Sequence, residues 1–176
     1  MQSKLLGGRA RPRVTRGALR FSDAAVLAAV GTVVLLVSLP RLRDFALREN
    51  ETDARALVER LGHVVDRSGG AARNATIEQV VLADETLATQ LDDAEFFDDG
   101  VLMRRHGYLF ELDSSEGEAM VRAWPWCHRK TGFAAYAWRP DVKLVGHANK
   151  TGDWSGPDAP PRFAGGAGWL DLIESP

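Results

Sequence analysis

Sixteen consecutive uncharged residues, Ala24 to Leu39 (AAVLAAVGTVVLLVSL), end at Pro40, and a charged, helix-patterned stretch begins at once. As a helix the run would span about 24 Å, short of the roughly 30 Å hydrocarbon core unless its flanks contribute. Its nine Val and Leu residues give on the order of −3 to −5 kcal/mol of insertion free energy before the polar residues are counted against them. Insertion is therefore favourable by a modest margin. Residues 1–22 carry six cations and no acid, while the other 154 residues carry sixteen cations against twenty-four acids. The basic flank on the N-terminal side predicts a cytoplasmic N-terminus and a C-terminal bulk across the membrane. A cleaved secretory signal and a buried core helix are the alternatives, and VSLPRLRDF is a poor signal-cleavage sequence.

Beyond Pro40 the apolar residues Leu42, Phe45, Ala46, Ala54, Leu57, Val58, Leu61, Val64 and Val65 recur at helical spacing. Arg48, Glu49, Glu51, Arg55, Glu59, Arg60 and Asp66 occupy the opposite face. The pattern predicts one long helix over residues 19–70, with a membrane segment at 24–39 and an amphipathic half that ends near Ser68–Gly70. Thr76 followed by Gln79 has the form of a capping box and opens a second, shorter helix. From residue 101 the signal turns to alternation: HGYLFEL, AMVRAWPW, FAAYAWRPD and VKLVGHAN read as three or four strands of an antiparallel meander. A sheet this small needs a partner, and the amphipathic half of the long helix supplies one. The fold class expected is α+β, a long N-terminal hydrophobic helix packed on a small antiparallel sheet. Residues 71–150 form the head and 151–176 an irregular Gly/Pro-rich tail, with Trp169, Leu170, Leu172 and Ile173 as an apolar patch in it.

In this arrangement the chain resembles the type IV pilin-like proteins, including the pseudopilins of type II secretion. Residues 1–18 match the family's basic cytoplasmic leader, and RGALRFSDAAVL its peptidase site, with the cut between Ala18 and Leu19. Asp23 then stands fifth in the mature chain, where the family has a glutamate, and Pro40 falls where many members have a proline. The order GYLFEL, AWPW, KTGFAAYAW is also similar to the sheet of a pilin-like subfamily. Ala18 replaces the family's glycine before the cut, Leu19 its aromatic first residue, and Arg20 adds a charge. The resemblance implies a noncatalytic subunit of the inner membrane, single-pass, with prepilin peptidase and other pilin-like subunits as partners and no cofactor. It also implies that Asp23 pairs with the amino terminus of a neighbouring subunit. Read from the residues alone, Asp23 is first a helix cap suited to the dipole. Left uncut, the chain would be a single-pass protein whose exported head binds a ligand or envelope partner.

Other motifs carry less. Trp124, Trp126, Tyr136 and Trp138 on adjacent strands are either a stacking surface for sugars or peptide, or packing. The acids of LDDAEFFDDG, residues 91–100, are either calcium ligands or a solvated turn, and lack the ordered spacing of a calcium loop. The four histidines show no metal-ligand spacing, so no metal site is expected. Cys127 is the single cysteine, which excludes an internal disulfide and any cysteine cluster. The acidic remainder argues against a general nucleic-acid partner.

Overall fold

The computed structural model describes residues 21–114, 118–163 and 168–172, and of residues 21–23, 70, 71 and 73 the backbone alone. The chain falls into two units, Met1–Pro40 and Arg41–Pro176. Helix α1 runs from Phe21 to Ser68 with Pro40 inside it. In the first unit all nine Val and Leu side chains of residues 24–39 are more than half exposed. An eighteen-residue window of this helix has mean hydropathy 2.1, with none of it buried, so the helix is long and apolar enough to cross a membrane. Pro40 removes the N–H that would bond to the carbonyl four residues earlier, a cost of about 3 kcal/mol in an isolated helix.

In the second unit the amphipathic half of α1 buries Leu47, Ala54, Leu57, Val58, Leu61 and Val65. Leu42 and Phe45, which the spacing assigns to the same stripe, are 63% and 65% exposed. Burial along the helix thus begins a full turn later than the pattern implies. After a 3₁₀ turn at Gly69–Asn74, helix α2 (Ile77–Ala83) opens on the Thr76–Gln79 capping box. The second helix expected from the sequence is in fact two. Asp84 adopts an extended conformation, ends α2 and caps α3 (Glu85–Gln90) by accepting from the Thr86 and Leu87 N–H groups.

The sheet is a seven-stranded antiparallel meander in sequence order: β1 Glu95–Phe97, β2 Leu102–Arg105, β3 Tyr108–Asp113, β4 Met120–Pro125, β5 Ala135–Arg139, β6 Lys143–His147 and β7 Leu170–Asp171. The four expected strands are present as β3 to β6; β1, β2 and β7 are additional. His106 and Gly107, read from sequence as the start of a strand, instead form the two-residue turn between β2 and β3, since Arg105 pairs with Tyr108. Both have positive φ, 45° and 77°, as a type I′ hairpin requires. A Cβ on Gly107 would lie 2.7 Å from Cβ of Thr131, so the close approach also demands glycine.

Period-two alternation gives the sheet two apolar faces. One, with Met103, Tyr108, Phe110, Val121, Tyr136, Trp138 and Leu144, packs on α1, α2 and α3. The other carries Leu109, Trp124 and Ala135, and beside them Met120, Ala137 and Val145. Trp154, Phe163 and Trp169 of the tail cover this second face. The tail is therefore a packed layer. Arg122 ties it down by donating to the Pro161 carbonyl at 2.8 Å while pairing with Glu111 and Asp113 at 3.0 and 3.1 Å. The indole N–H of Trp124 donates to the Gly156 carbonyl at 2.7 Å. A long apolar N-terminal helix whose second half packs on an antiparallel sheet is a pilin-like architecture.

Candidate functional site

The charged face of α1 does more than meet solvent. The Arg43 guanidinium donates to the Arg129 carbonyl at 2.8 Å, and the Asn50 amide to the Thr131 carbonyl at 3.0 Å. Glu51 accepts from the Phe133 and Ala134 N–H groups at 2.8 and 3.2 Å. One face of the helix thereby fixes the whole β4–β5 loop. Arg55 reaches the tail, donating to the Leu172 carbonyl at 2.6 Å.

An open cleft of about 350 Å³ lies where this loop meets the β2–β3 turn, lined by Asp93, Glu95, Arg104, Arg105, His106, Gly107, Trp126 and Thr131. On its floor Arg104 pairs with Glu95 and lies over the Phe97 and Trp126 rings, 5.6 and 4.9 Å from their centroids. His106 stands at the rim between two carboxylates. Its Nδ1 is 2.7 Å from Asp53 on α1 and its Nε2 3.0 Å from Asp93 in the turn after α3. A neutral imidazole donates from one nitrogen only, so the doubly protonated ring alone satisfies both contacts. Burial pushes the Asp93 carboxyl up, but the hydrogen bond and charge of Arg105, with His106, hold it below the ordinary aspartate value. The Asp53–His106–Asp93 clasp is not legible in the sequence, because its members lie too far apart in the chain for any spacing to reveal it.

The residues singled out from sequence are distributed as follows. Ala18 and Leu19 lie outside the described residues, and Asp23 is placed by its backbone alone, within α1. Pro40 is the last residue of the first unit. Tyr136 and Trp138 face the helices, whereas Trp124 and Trp126 lie on the opposite face of the sheet. Trp124 and Trp138 are 0% and 1% exposed. The four aromatics thus share no surface, and of the tryptophans among them only Trp126 borders open space, in the cleft. Burial pushes the Tyr108 and Tyr136 hydroxyls far above their ordinary value. The acids of residues 91–100 disperse: Asp93 and Glu95 are paired to arginines, and Asp98 and Asp99 occupy the β1–β2 turn with φ 52° each. Among the described residues no three His, Cys, Asp or Glu side chains gather to hold a metal ion. Cys127 is free and half-buried, its backbone bonded to Thr131 within the loop.

No family model, no curated protein and no solved structure matches this chain.

Proposed function

We propose that the protein is a noncatalytic, membrane-anchored pilin-like subunit: an N-terminal helix that holds it in the inner membrane with the N-terminus cytoplasmic, and an exported α+β head. Assembly with like subunits would be its activity, apolar helices bundling and heads setting surface contacts. The observation that carries this reading is the abrupt change along α1. Every Val and Leu of residues 24–39 is bare, and from Leu47 the same helix is buried against a sheet. A bare apolar helix in water is untenable without lipid or other helices to cover it.

The N-terminal sequence of the membrane-extracted protein tests the reading. A start at Leu19 is the expected result and makes prepilin peptidase a partner; a start at Met1 or Gln2 removes filament entry by that route. The Asp23→Ala variant should fail to enter cross-linked multimers if Asp23 registers one subunit against the next, and unchanged multimers would sink that role.

The cleft favours a second reading, an uncut single-pass protein whose exported head binds a ligand or envelope partner. Trp126 and Arg104 offer an aromatic and a charged group on one open surface. On that reading Trp126→Ala weakens binding while the head stays folded.

A further inference from the structure

The β4–β5 loop carries Arg129 and Lys130 at its tip, both exposed, with Phe133 42% exposed beside them. Arg43 holds the loop at its tip and Asn50 and Glu51 hold it behind. Internal bonds stiffen it further: Arg129 N–H donates to the Gly132 carbonyl at 2.8 Å, and Lys130 and Thr131 N–H to the Cys127 carbonyl at 3.0 and 2.9 Å. The tip therefore has a fixed place against the helix at Arg43, and the same turn of helix carries exposed Arg41 and the bare ring of Phe45. The turn and the loop together hold four cations, Arg41, Arg43, Arg129 and Lys130, against Asp44 on the turn and Glu51 behind the loop.

Arg43 follows the last leucine of the apolar run by four residues, within about 14 Å even for a fully extended chain. At physiological salt the Debye length is about 8 Å, so these charges would act on a surface at the end of the run while only partly screened. Exposed aromatic rings among cations are the chemistry that suits a headgroup layer. Resting on the membrane reading above, we propose that the β4–β5 loop and the Arg41–Phe45 turn form a lipid-facing surface, which docks the head on a bilayer containing anionic phospholipid. The loop is already ordered by α1, so docking it loses little conformational freedom.

The test uses the full chain in nanodiscs of phosphatidylcholine, with and without one-third phosphatidylglycerol, and lipid spin labels read by amide NMR. A headgroup label should broaden residues 128–134 in the anionic discs and much less in the neutral ones. Each basic residue near an anionic surface shifts the docking equilibrium about fivefold, so Arg129→Gln with Lys130→Gln should remove most of the difference; Lys130→Gln alone should remove part of it. An acyl-chain label reports the anchor separately through residues 24–39. If 24–39 are broadened while the loop is untouched, or is broadened equally in both lipids, the docking surface is overturned and the anchor stands. If 24–39 are untouched, the membrane reading fails, and the docking surface with it.

Discussion

Two residues, Gly62 and His106, show how much single positions decide here. Gly62 sits on α1 where Trp138 crosses it, and a Cβ would fall within the indole ring. Gly62→Ala must displace the helix or the ring, and overpacking of this kind costs about 1 to 3 kcal/mol; a fall in the chemical-denaturation midpoint checks it. His106 sets a different kind of constraint, a polar one between two carboxylates. Its double contact with Asp53 and Asp93 is complete only while both ring nitrogens carry hydrogen. On the acid side, Asp93 has a lowered folded-state value, so its contribution is present above the ordinary 3.8 and is lost as pH falls through the folded value. His106→Gln breaks both of these half-exposed pairs and should cost about 0.2 to 1 kcal/mol for each, read as a fall in the chemical-denaturation midpoint. An unchanged midpoint would show that the clasp adds no stability.

At the scale of elements, what was legible followed from local pattern. The capping box at Thr76 needs only two residues three apart, and β3 to β6 declare themselves by alternation. The break at Asp84 was hidden because Ile77, Val80, Val81 and Leu87 keep an apolar stripe across it. Strand β1 was hidden because it is three residues long and follows the paired aspartates Asp92 and Asp93. The tail was taken as irregular on its glycines and prolines, and most of it has no regular structure. Its order comes from side chains that meet distant partners: Trp154 stacks on Trp169 at 5.5 Å, and Arg122 reaches Pro161. The cleft was invisible for the same reason, its walls coming from four separate stretches of chain. Glu111 gives the tail clamp a measurable signature. Burial raises its carboxyl, more than Arg122 lowers it, so folding favours the protonated form. That contribution is present below the ordinary glutamate value and is lost as pH rises through the folded one. Glu111→Gln should therefore match wild type in acid and equal or exceed it in stability at neutral pH, since Asp113 still pairs with Arg122; a marked loss at neutral pH would show that the charge stabilises the clamp after all.

For the whole molecule, the decisive quantity is the margin by which residues 24–39 prefer lipid. The Val and Leu side chains offer on the order of −3 to −5 kcal/mol, and Gly31, Thr32 and Ser38 reduce it. Thr32 softens its own cost by donating to the Ala28 carbonyl at 2.9 Å, which satisfies the hydroxyl within the helix. A margin this small makes a single charge decisive. Val33→Arg, near the middle of the run, removes a favourable side chain and adds about 2.5 to 3.5 kcal/mol, which cancels most or all of the margin. The wild-type chain should remain with membranes after alkaline carbonate washing and leave them in detergent, while the variant should lose most of that retention. A surface charge added at exposed Arg48, as Arg48→Glu, lies on the second unit beyond the run and should leave retention unchanged. If carbonate releases the wild-type protein, the bare helix is covered by something other than lipid, and the cover would have to be other apolar helices in a water-soluble assembly. Light scattering on the released material would then report a large particle, and Val33→Arg would break that particle instead.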